Sequence, residues 1–145
     1  MRFSVKNNMQ PTARLMILAF REFECDLLRA LEKQGIADVT LADFNVLRHL
    51  DPQGLQLTTL AEHAGLSKQG VGKMVKELEE KGYLKIKPDQ RDGRAKVVMY
   101  TRKGKKFVHK TIILVGDIEK RYETLLGNYN YHNLRKSLLM LLEKS

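Results

Sequence analysis

A chain of 145 residues with 43% hydrophobic residues is too apolar for global disorder, and it suffices for one domain or for a protomer needing a partner to cover its ends. No apolar run approaches the roughly 18 residues that span a bilayer, and the opening MRFSVKNNMQ lacks the apolar core of a signal peptide, so a cytoplasmic location without a membrane is expected. The net charge of +9 is localised: Lys68–Lys110 carries 14 of the 26 Lys and Arg but 5 of the 17 Asp and Glu, which puts the whole excess into 43 residues.

A lysine-rich solvated surface is the plain reading of that excess, and a polyanion site, nucleic acid first, is the stronger one. The single cysteine, Cys25, excludes an internal disulfide framework and a multi-cysteine metal site. His49, His63, His109 and His132 form no local pair such as HxxxH, so neither metal nor cofactor is expected.

In chain order, Pro11-Thr12 opens a helical pattern that runs to about Gln34. Met16, Phe20, Phe23, Leu27 and Leu31 form its apolar stripe, and Gly35 closes it. Thr40 and Asp43 have the spacing of a capping box before a second helix with Leu41, Phe44, Leu47 and Leu50 on one face. Asp51-Pro52-Gln53-Gly54 stops that helix. A short helix over about Thr58–Ala64 and a longer one over Ser67–Lys81 follow.

After Gly82 the period changes. Leu84 and Ile86 alternate with lysines, and Val97 and Met99 with Lys96, Val98 and Tyr100, which is strand spacing. Between them PDQRDGR, with Asp92-Gly93 as turn chemistry, makes the tip of a two-stranded basic hairpin. A long helix from Thr101 to about Leu126 carries Phe107, Val108, Ile112, Val115, Ile118, Tyr122 and Leu125 on one side. Gly127-Asn128 breaks it before a last helix near Tyr131–Glu143, with Leu134, Leu138, Leu141 and Leu142 on one stripe.

The stretch TLAEHAGLSKQGVGKMVKEL meets the demands of a helix-turn-helix. Ala61 is small where two helices cross, Gly65 makes the turn, and Val71 and Met74 plug the interface, with Leu60, Ala64 and Leu66 at the other apolar positions. On a helical wheel Val71, Met74, Val75 and Leu78 face the core, while Gln69, Lys73, Lys76 and Glu80 face away, flanked by Lys68 and Gly72. Such a helix reads bases through its N-terminal part in the major groove. Gln69 suits adenine, and Lys73 suits guanine or a phosphate. Phosphate contact alone is an equal reading for Lys76. Ser67 is the expected N-cap, beside N–H groups that favour a phosphate. Gly70 falls where the helix is not yet fully hydrogen-bonded and costs less, and Gly72 on the outward face lets the backbone approach DNA closely, a soft, ligand-tunable helix start being the competing explanation.

From about Leu41 to Phe107 the chain resembles the multiple antibiotic resistance regulator (MarR) family of winged-helix transcription factors. The stretches LTTLAEHAGLS, VKELEEKGYL, PDQRDGRAK and YTRKGKKF carry the likeness, most of all the D-x-R-D-x-R pattern of Asp89, Arg91, Asp92 and Arg94. The resemblance implies that Arg94 enters the minor groove and that Asp92 holds the wing in shape. It implies a homodimer through the N- and C-terminal helices, and a small apolar or phenolic effector.

The expected fold is mainly α (α+β) in a single unit, 1–145. A winged helix-turn-helix spans 40–101, with recognition helix 67–81 and wing 83–100, and helical dimerisation segments span 11–35 and 102–145. Expected DNA-contacting residues are Ser67, Lys68, Gln69, Gly70, Gly72, Lys73, Lys76, Arg91, Asp92, Arg94 and Lys96. The function that follows is operator binding as a homodimeric, ligand-responsive repressor, the alternative being a non-specific architectural DNA binder. No GxSxG, P-loop or HExxH occurs, so an enzyme is not expected. Cys25, flanked by Glu24 and Asp26, reads as helix packing before it reads as an oxidant sensor.

Overall fold

The computed structural model describes residues 10–144, so the reading of the opening residues as lacking a leader's apolar core lies, for Met1–Met9, outside the described residues. Among the described residues six helices and three strands follow in the order α1 (Thr12–Lys33), α2 (Leu41–Leu47), β1 (Leu55–Gln56), α3 (Leu57–Ala64), α4 (Lys68–Glu80), β2 (Leu84–Pro88), β3 (Lys96–Tyr100), α5 (Arg102–Leu126) and α6 (Asn128–Glu143). The fold is helix-rich with a small antiparallel sheet. The chain divides into two compact units, Leu28–Thr111 and the combination of Met1–Leu27 with Ile112–Ser145.

In the unit Leu28–Thr111, the end of α1 is closed by Gly35 at φ +82°, with the Ile36 N–H reaching the Leu31 carbonyl. The capping box forms as its spacing implies: Asp43 N–H donates to Thr40 Oγ1 at 3.2 Å, and Thr40 N–H to Asp43 Oδ2 at 2.8 Å. Phe44, Leu47 and Leu50 are buried as the stripe requires, whereas Leu41, one turn earlier, is exposed.

The sheet has the order β1-β3-β2, all antiparallel. Two corrections follow. The hairpin gains a third strand, β1, in which Leu55 pairs Val98 and Gln56 pairs Val97. The buried face of β3 is Val98 and Tyr100, opposite Ile86 and Leu84, and not Val97 and Met99. Apolar residues fill the strand interior from Val97 to Tyr100, so either phase of the alternation was available. Pairing and the Tyr100 hydroxyl, which donates to the Leu47 carbonyl at 3.2 Å, select this one.

At the start of α5, Thr101 Oγ1 accepts from Gly104 N–H at 3.0 Å and donates to the Gly82 carbonyl at 2.5 Å. Gly104 is required there, because a Cβ would overlap the carbonyl oxygen of Tyr83.

In the other unit, Leu27 and Ile118 are buried and the Tyr122 hydroxyl donates to Asp26 Oδ2 at 3.4 Å. Much of the predicted apolar surface is not covered. Met16 and Phe20 of α1, Leu125 of α5, and Leu134, Leu138, Leu141 and Leu142 of α6 are exposed, Leu142 at 70%. Helix α6 has no buried residue at all.

Candidate nucleic-acid interface

Helices α3 and α4 form the helix-turn-helix. Ala61 is 4% exposed where they pack, and Gly65 at φ +66° turns the chain, with the Leu66 N–H returning to the Ala61 carbonyl at 3.1 Å. Val71, Val75 and Leu78 are fully buried and Met74 is half-buried, which sets the rotation of α4 about its axis. Leu66 departs from expectation: it lies in the turn, after α3 has ended, and is exposed.

With that rotation fixed, Lys68, Gln69, Lys73 and Lys76 are all exposed along the opposite side of α4. Ser67 caps the helix, its Oγ accepting from Gly70 N–H at 3.0 Å. Gly70 and Gly72 sit in the first turns. A Cβ at Gly70 would come within 3.0 Å of the Ser67 hydroxyl, and one at Gly72 would meet nothing within 4 Å.

The C-terminal end of α4 is held by contacts that no sequence motif announced. Lys81 Nζ donates to Asp43 Oδ2 at 2.9 Å, where the Asp43 side chain is 4% exposed. Lys103 Nζ donates to the Lys81 carbonyl at 2.7 Å and lies 4.3 Å from the centre of the Tyr83 ring. Glu79 accepts from Ile86 N–H at 3.1 Å, joining α4 to β2. The Tyr83 hydroxyl donates to Asp38 at 2.6 Å, and its pKa lies well above the tyrosine norm because burial and then the Asp38 carboxylate disfavour the phenolate.

The wing loop, 89–95, is shaped by its own aspartates. Asp89 N–H donates to the Ala95 carbonyl at 2.9 Å, and Ala95 N–H to the Asp92 carbonyl at 3.0 Å. Asp92 Oδ1 accepts from Arg94 N–H at 3.1 Å, a geometric counterpart of the shaping role that the resemblance implied. Asp89 does more. One carboxylate oxygen accepts from Arg91 N–H at 2.9 Å and the other from Gln56 Nε2 at 2.6 Å, and these bonds hold its pKa below the usual carboxylate value. Neither Asp89 as anchor nor Gln56 as its partner was legible, since 33 residues separate them. Arg91, Arg94 and Lys96 are exposed, and Lys68, Lys73, Lys76 and Arg94 make no ion pair among the described residues.

His49 and His63, distant in sequence, line one shallow cleft of about 320 Å³ with Arg48, Asp51 and Leu55. Among the described residues no group of three or more His, Cys, Asp or Glu could hold a metal, and no helix is long and apolar enough to cross a membrane. Cys25 is half-buried in α1.

Comparison with known proteins adds to this geometry. Residues 37–95, which contain the helix-turn-helix and most of the wing, match the family model described as MarR family. A curated relative, the transcriptional activatory protein BadR of Rhodopseudomonas palustris, is 25% identical over 133 residues, covering 87% of this chain and 75% of its own. Among solved structures, the reduced form of MarR from E. coli superposes with a TM-score of 0.80 at 22% identity, over 94% of this chain and 99% of that one. Transcriptional regulator Tm0710 of Thermotoga maritima does so at 0.66 and 26% identity, over 93% and 96%.

Proposed function

We propose, from the match of residues 37–95 to the MarR family model and the likeness to its solved structures, that the chain is a transcriptional regulator of that family and not an enzyme, acting as a homodimeric repressor that reads a palindromic operator. Helix α4 enters the major groove with Gln69 and Lys73 toward base edges and with Lys68 and Lys76 on phosphates. The Ser67 turn, with Gly70 beside its capping hydroxyl, meets the backbone through its N–H groups, and Gly72 lets the helix come close. The wing lays Arg94 in the adjacent minor groove, with Arg91 and Lys96 at its edges and Asp92 holding the turn.

One observation carries the reading. A row of exposed cations and one glutamine stands on a helix locked in rotation by Val71, Val75 and Leu78, and a basic wing follows on the same sheet. The uncovered apolar faces of α1 and α6 support a second copy as partner, because leucines at this density are unfavourable in water. Twofold symmetry then implies half-sites about one helical turn apart. Among the similar proteins, BadR is described as an activatory protein and one solved MarR structure as that of the multiple antibiotic resistance repressor. We favour repression here because covering a promoter needs only DNA binding, whereas activation needs a further contact with the transcription machinery.

Selection of bound duplexes from random DNA tests the proposal. A gapped palindrome is expected, and enrichment of no sequence would favour the architectural binder. On the selected site Arg94→Ala should weaken binding at least tenfold without changing the melting temperature. Unchanged affinity at physiological salt would remove the wing from the interface.

A further inference from the structure

Gln56 occupies the junction between β1 and α3, at the N-cap position of the first helix of the helix-turn-helix, yet its side chain makes no capping bond. Ser, Thr, Asn or Asp would cap there. Glutamine instead extends away from its own helix and donates to Asp89 Oδ2 at 2.6 Å. Asp89 lies one residue past β2, at one edge of the sheet, while Gln56 ends β1 at the other edge. The bond therefore links the two edge strands across β3. Among the described residues it is the one hydrogen bond joining the wing loop to the helix-turn-helix.

Asp89 is suited to receive it. Its backbone N–H closes the wing on Ala95, and its second oxygen holds Arg91 N–H, so moving Asp89 moves the wing base as a unit. A charged acceptor makes the bond stronger than one between neutral groups. Strand β1 is only two residues long and otherwise gives the wing little leverage on α3.

We propose that Gln56 is a positioning residue: through Asp89 it fixes the wing against α3, and so sets the spacing between the minor-groove and major-groove readers. The DNA consequence rests on the proposed operator reading, whereas the mechanical link does not. Two consequences follow for a residue that need not touch DNA. Loss of the bond weakens operator binding only while the wing contributes, and the loss is separable from folding.

Gln56→Asn tests both, because asparagine caps a helix well and is one methylene too short to keep the bond. In the free protein, ¹⁵N relaxation should show the 89–95 amides losing order while the melting temperature holds or rises. On the selected operator the variant should bind roughly five- to tenfold more weakly, less than the full scale of one hydrogen bond to a charged group because only part of the loss reaches the DNA contact. In an Arg94→Ala background the same change should cost less than about twofold, since the wing contact is already gone. Unchanged wing order overturns the link, and equal losses in both backgrounds overturn its role in setting the spacing. If the wild-type protein selects no operator, the DNA reading fails and relaxation alone decides the link.

Discussion

At Gly70 an added methyl would press on the hydroxyl that caps α4, while two residues later at Gly72 it would stand in open space. The two glycines therefore answer to different demands. Gly70→Ala should displace the Ser67 hydroxyl and weaken the cap, lowering stability by about 1 kcal/mol or less in a denaturant melt. Gly72→Ala should raise stability by up to about 1 kcal/mol, since alanine is the better helix former and nothing in the protein obstructs it. In an operator titration the same variant should bind more weakly, because its methyl occupies the outward face; tighter binding would mean that a soft helix start limits affinity instead. Lys76→Ala should reduce the slope of log affinity against log salt by about 1 with little change in base preference. Asp89 has a depressed pKa, so its bonds contribute above the ordinary aspartate value of 3.8 and fade only as pH falls through the lower folded value. The wing anchor is thus constant across neutral pH.

Among the elements, α4 is the one on which the proposed interface depends, and it is fastened at both ends. Asp43 serves two structures at once, capping α2 and pairing with Lys81 at the end of α4. Asp43→Ala should cost about 1 to 2 kcal/mol by thermal or chemical denaturation, combining a lost cap with the loss of the ion pair to Lys81, whose side chain is 29% exposed. Tyr100 joins β3 to α2 through the Leu47 carbonyl, and burial pushes its pKa from 10.0 up to about 12. A raised folded value means that this stability is complete below pH 10 and is lost as pH rises through about 12. Tyr100→Phe should flatten that part of the alkaline stability profile. The capped helices and the basic hairpin were legible because caps, glycines and periodicity are local. Strand β1 was not, because two residues carry no period, and the buried phase of β3 was not, because an apolar residue fills both phases.

For the whole molecule, the apolar stripes of α1 and α6 are legible as stripes but silent about what covers them. The single chain leaves Phe20 45% exposed and Leu141 58% exposed. Leu138→Asp, on the exposed stripe of α6, should shift sedimentation equilibrium toward monomer and reduce operator affinity, while leaving the isolated helix-turn-helix contacts untouched. A variant that stays dimeric would move the interface elsewhere on the chain.

The sequence by itself determined the composition-level facts: where the charge lies, the order of the helices, the helix-turn-helix with its cap and turn, and the motif of the wing. Each depends on residues within a few positions of one another, where backbone geometry links sequence directly to conformation. Tertiary structure alone decided that Gln56 meets Asp89, that Lys81 meets Asp43, that His49 and His63 share a cleft, and that Val98 rather than Val97 faces inward. Those pairings join segments distant along the chain, and a long-range contact leaves no periodicity for a local reading to find.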